Sequence, residues 1–270
     1  MTVRTEKNGA VWTVIHDRYE ARNAVNTEAA EQLHSAFVEF DSDPGAKVAV
    51  FYGAGGAFCG GWDLKTAGIF SDRERFTKEF VGPLSFPQGS NAGPRGPMGP
   101  SRLELSKPVI AAVEGAAVAG GMELAMWCDM RIMAQDAYFG VYCRRWGVPL
   151  IDGGTVRLPR LVGLGRAMEL TLSGRKVDAD EALRIGLCER IVPSGTARRA
   201  AEEFAAQISR FPQAAMLADR RSMIENQGLA MRDALRREWH NGIDAIVKEG
   251  AQGADRFASG LGRHGDFSEI

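Results

Sequence analysis

Short apolar runs alternate with longer amphipathic segments over the first two thirds of the chain. Three runs are rich in β-branched and aromatic residues and have polar flanks: Val11–Ile15, Lys47–Tyr52 and Pro108–Val113. Such runs are typical of buried strands. After Asn26 or Thr27, either of which can cap a helix, apolar residues recur on one helical face as far as Phe40. Because strands and helices alternate, the pattern predicts an α/β fold.

The last third of the chain has a different pattern, in which apolar residues recur at helical spacing alone. Four segments carry it: Asp178–Ile185, Thr196–Ser209, Pro212–Glu225 and Leu229–Lys248. We therefore predict a mixed core domain over residues 1–195 and a helical C-terminal region over residues 196–270. The segment Gly82–Pro100 contains many glycines and prolines and has little periodicity, which predicts a mobile surface loop.

Two of the predicted strands end in a glycine-rich turn. The first turn is Gly53–Asp63 (GAGGAFCGGWD), and the second is Val113–Glu123 (VEGAAVAGGME), which opens a predicted helix at about Gly120. Glycine lets a ligand approach the backbone closely, and the amides at a helix start have no partner within the helix. Two amides from separate turns can therefore converge on one oxygen and form an oxyanion hole, which stabilises negative charge on a carbonyl oxygen.

Two other interpretations of these turns remain open from the residues alone. Small residues in ordinary turns explain the glycines equally well, since glycine is common in loops. A dinucleotide-binding turn agrees less well with the sequence, because Phe58 occupies the position of the third glycine.

The composition is that of an ordinary globular protein and excludes several classes of function. The chain has 270 residues, 45% of them hydrophobic, and a formal net charge of -1. A balanced charge argues against nucleic-acid binding, and no apolar run is long enough for a membrane span. The four cysteines are far apart and form no CxxC pair, which argues against a zinc site and fits a reducing, cytoplasmic location.

Segments distributed over nearly the whole chain resemble the crotonase superfamily, the enoyl-CoA hydratase/isomerase family. They occur in the order and spacing of that family: Arg22–Asn26 (RNAVN), Gly56–Lys65 (GAFCGGWDLK), Lys107–Gly115 (KPVIAAVEG), Gly120–Ala125 (GGMELA), Cys128–Asp129, Phe139–Gly140 and Gly153–Thr155. The resemblance implies an α/β fold in which ββα units form a spiral, with a helical C-terminal region that builds a homotrimer or a dimer of trimers. It also implies an acyl-CoA thioester substrate, with CoA as part of that substrate and no metal or permanently bound cofactor.

The resemblance also assigns roles to residues of this chain. The N–H groups of Trp62 and Gly120 match the two oxyanion-hole positions. The residues that match the CoA-binding backbone and phosphate contacts are Arg22, Ala24, Gly60, Asp63, Leu64 and Lys65. The acyl pocket is expected to include Trp62, Cys143 and Trp146. In the C-terminal helices, Phe257 and Arg263 are at positions where the family often adds an aromatic residue and a cation to the CoA site.

One catalytic carboxylate of the hydratase pattern is present and the other is absent. Glu123 matches the first catalytic glutamate and lies in the first helical turn after Gly120, where the helix dipole favours a carboxylate. The second glutamate follows the Phe-Gly pair by four residues, and that position holds Cys143. Adding water across a double bond usually needs two groups that transfer protons. Asp152 is the candidate for the second group, although a turn-forming role before two glycines is an alternative.

The sequence therefore predicts an acyl-CoA-processing enzyme that hydrates an enoyl-CoA or catalyses the reverse dehydration. The replacement of the second glutamate leaves double-bond isomerisation, decarboxylation and thioester hydrolysis as alternatives on the same scaffold. A non-catalytic acyl-CoA-binding protein is a further alternative. No membrane or nucleic-acid partner is expected.

Overall fold

The computed structural model describes residues 2–86 and 94–262, with backbone alone for residues 67–70. Within these residues the chain forms two sheets. The strands are β1 (Val3–Asn8), β2 (Val11–His16), β3 (Val48–Gly53), β4 (Val109–Val113), β5 (Ala116–Val118), β6 (Met130–Ala134), β7 (Tyr138–Gly140), β8 (Lys176–Asp178) and β9 (Arg190–Val192). The three strands predicted from the sequence correspond to β2, β3 and β4, and each agrees to within one residue at either end.

The larger sheet has the strand order β1-β2-β3-β4-β6-β9 and is parallel except for the β1–β2 pair. The smaller sheet has the order β5-β7-β8, with β5 and β7 parallel and β7 and β8 antiparallel. Neighbouring parallel strands end at the same edge of a sheet. The chain segments that follow β3 and β4 therefore start side by side.

Helices cover the sheets and form most of the C-terminal third. They are α1 (Thr27–Ser42), α2 (Arg73–Phe76), α3 (Gly82–Leu84), α4 (Gly120–Trp127), α5 (Gly154–Val162), α6 (Leu164–Ser173), α7 (Ala179–Ile185), α8 (Ala197–Ile208), α9 (Gln213–Glu225), α10 (Met231–Ala245) and α11 (Ala251–Ser259). Single π-helical turns join α2 to α3 and α10 to α11. With helices and a mainly parallel sheet alternating along the chain, the predicted α/β class is confirmed.

Helix α1 begins and packs as its sequence predicts. The side chain of Asn26 caps it, because Oδ1 accepts a hydrogen bond from the Ala29 N–H at 2.8 Å. Its apolar face is buried against β1 and β2. Phe37 on this face contacts Phe51 of β3 edge to face, with ring centroids 5.3 Å apart.

The prediction of a mobile surface loop over Gly82–Pro100 is wrong for residues 96–100, whereas Gly82, Pro83, Ser85 and Phe86 are exposed. Gly82–Leu84 is helical, and residues 96–100 are buried, with Met98 only 1% exposed. Gly96 and Gly99 exchange two backbone hydrogen bonds of 3.0 and 2.9 Å, which close a tight turn. Glycine and proline lower the periodicity of a segment without keeping it on the surface, so composition alone gave the wrong expectation. Residues 87–93 lie outside the described part of the chain.

The C-terminal helices carry many apolar side chains on their surface. Helices α9 and α10 pack against each other. The largest exposed apolar residues of α9, α10, the π-helical turn after it and α11 are Met223, Ile224, Met231, Leu235, Trp239, Ile246, Val247 and Phe257. Within residues 2–86 and 94–262, no helix is both long and apolar enough to cross a bilayer.

Candidate active site

The two glycine turns lie side by side and pair with each other. The Phe58 N–H donates to the Glu114 carbonyl at 2.7 Å. Cys59 then pairs with the strand at Ala117, donating to the Ala116 carbonyl and accepting from the Val118 N–H, both at 3.0 Å. This pairing continues the parallel alignment of β3 and β4 past their ends.

Residues 61–63, at the C-terminal end of the first turn, pair with Val25 through the backbone edge opposite to the one that pairs with the second turn. The Val25 N–H donates to the Gly61 carbonyl at 2.8 Å, and the Val25 carbonyl accepts from the Asp63 N–H at 2.9 Å. In such a parallel bridge the residue between the two contacts points its own N–H away from the partner strand. The Trp62 N–H is therefore directed to the edge along which the second turn runs.

The second turn presents an amide close to the first. The Gly120 N–H, at the start of α4, has no acceptor among residues 2–86 and 94–262. A Cβ atom on Gly61 would lie 3.3 Å from that nitrogen and 3.0 Å from the Cβ of Ala119. The structure therefore brings Gly61, next to Trp62, into contact with the start of α4.

Ala119 holds the backbone before Gly120 in an unusual conformation. It caps α4 with φ 53° and ψ −124°, a region that residues with a side chain rarely adopt. Its carbonyl accepts hydrogen bonds from the N–H groups of Met122 and Glu123, and its own N–H donates to the Gly140 carbonyl. These hydrogen bonds hold Ala119 in a backbone conformation that would be unfavourable in free energy without them.

Glu123 is a buried carboxyl group whose two oxygens have different surroundings. Its Oε1 accepts hydrogen bonds from the N–H groups of Asp152 at 2.9 Å and Gly154 at 2.8 Å. Its Oε2 accepts none from the described residues and is not sealed from solvent. Burial raises the pKa of Glu123 to about 7, and the charge of Asp152 adds to this rise, whereas the two N–H donors oppose it.

The approach of Glu123 to the start of α5 depends on a residue without a side chain. A Cβ atom on Gly154 would lie 2.9 Å from Oε1 of Glu123 and 3.0 Å from a methyl carbon of Leu150. Only glycine leaves the N–H of residue 154 open to the carboxylate at this distance.

Asp152 is a second buried carboxyl group, 3% exposed, close to Glu123. Its Oδ1 accepts hydrogen bonds from the Met98 N–H at 3.0 Å and from the Ser101 hydroxyl. Burial raises the pKa of Asp152, and these two donors partly offset the rise. Met98 and Ser101 are not evident from the sequence, because Met98 lies within the segment Gly82–Pro100, whose composition predicts a surface loop, and Ser101 directly follows it.

Cys143, at the position of the absent glutamate, is also buried. It lies on a single 3-10 turn, Tyr142–Trp146, after β7. Burial raises the pKa of the Cys143 thiol, a hydrogen bond with Arg144 lowers it, and the charge of Glu123 adds to the rise. The thiol is therefore uncharged near neutral pH.

The two tryptophans predicted to line the acyl pocket differ in exposure. Trp62 is partly buried, packs against the core and contacts Phe80 with ring centroids 5.5 Å apart. Trp146 is 67% exposed, so most of its ring lies at the protein surface.

The residues predicted to bind CoA form one contiguous strip. The Gly60 N–H donates to the Arg22 carbonyl at 2.9 Å, which holds residues 22–24 beside residues 60–65. Arg22 and Lys65 are exposed, and their side chains have no ion-pair partner among residues 2–86 and 94–262. Leu64 is 37% exposed.

Asp63 differs from the rest of this strip because its carboxylate has protein partners. It forms an ion pair with Arg18 at 3.0 Å, and its Oδ1 accepts from the Lys65 N–H at 3.1 Å. Arg18 also donates to the Ala24 carbonyl and was missed in the sequence. No motif distinguished it from the other charged residues near the start of the chain.

Phe257 lies at the other end of the larger sheet from the glycine turns. It lines a cavity of about 370 Å³ together with Phe211, Pro212 and Arg256. An adjoining cavity shares three of these residues and also includes Lys47, which directly precedes β3. The first glycine turn follows the opposite end of β3, so Phe257 is remote from it within one chain. Arg263 lies outside the described residues.

Metal binding by the usual ligands finds no support in the described parts of the chain. No group of three or more histidine, cysteine, aspartate or glutamate side chains is arranged there to hold a metal ion.

Comparison with known proteins gives one consistent result. A model of the enoyl-CoA hydratase/isomerase family matches residues 6–81 and 101–258. Enoyl-CoA hydratase EchA19 of Mycobacterium tuberculosis is 34% identical over 258 residues, which cover 93% of this chain and 91% of that protein. Carnitinyl-CoA dehydratase of Proteus mirabilis is 36% identical over 203 residues, covering 74% and 72% of the two chains.

The solved structures agree with the sequence relatives. A crystal structure of enoyl-CoA hydratase from Mycobacterium tuberculosis superposes with a TM-score of 0.84 at 31% identity and covers 96% of both chains. A probable enoyl-CoA hydratase/isomerase from Mycobacterium abscessus superposes with a TM-score of 0.81 at 32% identity, again over 96% of both chains. The expected crotonase fold is thereby confirmed. With the family model matched at both ends of the chain and relatives aligned along most of it, this protein belongs to the enoyl-CoA hydratase/isomerase family.

Proposed function

We propose that the protein hydrates a 2-enoyl-CoA thioester to the 3-hydroxyacyl-CoA, or catalyses the reverse dehydration. The observation that carries this proposal is the position of Glu123, one helical turn after the Gly120 amide. Its Oε1 is fixed by two N–H groups, whereas its Oε2 has no donor among the described residues. A carboxyl group fixed in this way can transfer a proton without losing its orientation.

The thioester oxygen binds between the N–H groups of Trp62 and Gly120 in this mechanism. The orientation of Trp62 away from Val25 and the closeness of Gly61 to the Gly120 nitrogen support the assignment. Negative charge develops on that oxygen as water adds to the β-carbon. Preorganised donors at such a site typically contribute several kcal/mol to the stability of the transition state.

Glu123 and Asp152 act as the two proton-transfer groups. One carboxylate removes a proton from water as its oxygen bonds to the β-carbon, and the other, protonated, group delivers a proton to the α-carbon. Their closeness in a buried site supports this division of roles, because ionisation of one carboxyl group favours the protonated form of the other. A neutral thiol at Cys143 is a poor substitute for the missing glutamate.

CoA lies along the strip formed by Arg22, Ala24, Gly60 and residues 63–65, with Arg22 and Lys65 available for its phosphates. Asp63 contributes through its backbone, since its carboxylate is bound by Arg18. The acyl group extends toward Trp62 and Cys143, and Trp146 lies at the rim of this pocket.

The protein acts as a homotrimer or a dimer of trimers in the cytoplasm. The exposed apolar side chains of α9, α10 and α11 support assembly, because burying them in an interface would remove apolar surface from water. The four cysteines are free thiols and all are buried, which is compatible with a reducing compartment.

A panel of three CoA esters tests the proposal. We expect the purified protein to hydrate crotonyl-CoA, with Asp152→Asn lowering kcat by about 10²-fold and Cys143→Ser causing little change. Migration of the double bond in a 3-enoyl-CoA, decarboxylation of a malonyl-type CoA or release of free CoA would instead identify one of the alternative reactions. Calorimetric binding of these esters without turnover would identify a non-catalytic binder.

A further inference from the structure

Arg157 of α5 makes two hydrogen bonds that the mechanism above leaves unexplained. Its Nη1 donates to the Asp152 carbonyl at 2.9 Å, and its Nη2 donates to the Ser101 carbonyl at 2.8 Å. The guanidinium group also fills the space beside Gly153, which has no Cβ in the way. One side chain thus joins the turn before α5 to the buried segment that ends at Ser101.

Arg157 binds the carbonyl groups of two residues, and each of these residues also donates a hydrogen bond to a buried carboxyl group. The residue whose carbonyl it binds, Asp152, donates its N–H to Oε1 of Glu123. The other residue, Ser101, donates its hydroxyl to Oδ1 of Asp152. Each arm of the guanidinium group therefore binds the backbone of a residue that itself donates a hydrogen bond to a carboxyl group.

We propose that Arg157 is a positioning residue that holds Glu123 and Asp152 together as one acid–base unit through the two carbonyl groups it binds. This inference rests on the proposed function of those two carboxyl groups. Lysine cannot replace the arrangement, because a single ammonium group does not match two carbonyls in the fixed geometry of a guanidinium fork.

The charge of Arg157 acts on the same pair. It lowers the pKa of Glu123 and of Asp152 and so opposes the rise that burial causes in both. The other groups that face the cluster keep their charge state near neutral pH. Arg102 stays positive, and burial raises the pKa of the Cys59, Cys128 and Cys143 thiols, which stay neutral.

The test compares Arg157→Gln, Arg157→Lys and Arg160→Gln, the last a control at an exposed position of the same helix. For Arg157→Gln we expect kcat to fall about tenfold to a hundredfold with little change in KM. The two pH limits of kcat, the pH values at which it falls to half its maximum, should both rise by about one pH unit, because both carboxyl groups lose a nearby positive charge. Arg157→Lys should restore the pH limits but not kcat, and Arg160→Gln should match the wild type.

A purely structural role predicts another result. Arg157→Gln would then unfold at a lower temperature, while kcat per folded molecule and its pH limits stayed at the wild-type values, and the proposal would be wrong. The pH dependence of unfolding gives a readout without substrate. If the wild type turned over no CoA ester, the proposed function would fail, yet an upward shift in the pH at which Arg157→Gln loses stability would still support the coupling to Glu123.

Discussion

The second glycine turn carries a buried glutamate near each end, and the two differ in how their oxygens are used. Glu114 directly follows β4, and each of its oxygens accepts one N–H, from Ala197 at 2.8 Å and from Gly195 at 3.0 Å. Because α8 begins at Ala197, Glu114 satisfies the start of that helix from another element. Glu123, in contrast, receives both of its N–H donors on one oxygen.

Burial and the number of hydrogen bonds therefore do not distinguish these two carboxyl groups. Glu114 is 6% exposed and Glu123 is 3% exposed, and each accepts two backbone hydrogen bonds. The distribution of the donors is what differs. Both oxygens of Glu114 are occupied at the start of α8, whereas one oxygen of Glu123 has no donor among the described residues.

Replacing Glu123, the proposed proton-transfer group, should have the largest effect. We expect Glu123→Gln to lower kcat for crotonyl-CoA hydration by about 10²–10⁴-fold, because the amide cannot accept and deliver the proton. Binding of the acyl-CoA, measured by calorimetry, should remain nearly unchanged. Turnover at the wild-type rate would remove Glu123 from the mechanism.

The same substitution should change how stability depends on pH. A carboxyl group whose pKa rises from 4.5 to about 7 on folding contributes stability that is fully present below pH 4.5 and is lost as the pH rises through 7. Glutamine does not titrate. The free energy of unfolding of Glu123→Gln, measured by urea denaturation, should therefore gain about 3 kcal/mol relative to the wild type between pH 4.5 and pH 8. A difference that is independent of pH would contradict the raised pKa.

The matching substitution at the structural end should affect stability alone. In Glu114→Gln, an amide NH₂ replaces one of two accepting oxygens and faces the N–H of Ala197 or Gly195. We expect this to lower the free energy of unfolding by about 1–3 kcal/mol, with kcat per folded molecule unchanged. A loss of kcat comparable to that of Glu123→Gln would show that the two ends of the turn are not separate in function.

The parts of the fold with a strong local pattern could be predicted from the sequence. Strands β2, β3 and β4 and the capped helix α1 are examples, because their burial follows directly from the order of their residues. Strands of three residues, such as β5 and β7, are too short to show alternation, and α5 contains Pro159, which disguises its helical pattern. These elements form because the rest of the fold surrounds them.

The candidate site, like the fold, has some residues that a local sequence pattern predicts and others that it does not. Glu123 and Gly120 follow from a local motif, and the structure brings Gly120 next to the first turn. Asp152 was a candidate by its position in the sequence, but its donors Met98 and Ser101 come from more than 50 residues earlier in the chain. No periodicity connects such distant residues, so only the folded structure reveals the hydrogen bonds that orient Asp152.

The contact between Gly61 and Ala119 implies that these two positions cannot vary independently. A Cβ atom on residue 61 would lie 3.0 Å from the Cβ of Ala119, and both residues have a positive φ, 95° for Gly61 and 53° for Ala119, which residues with a side chain rarely adopt. A larger residue on either side would push the two turns apart and widen the gap between their amides. Substitutions at the two positions should therefore have non-additive effects on activity. Active variants from a library randomised at both positions should carry small residues at both.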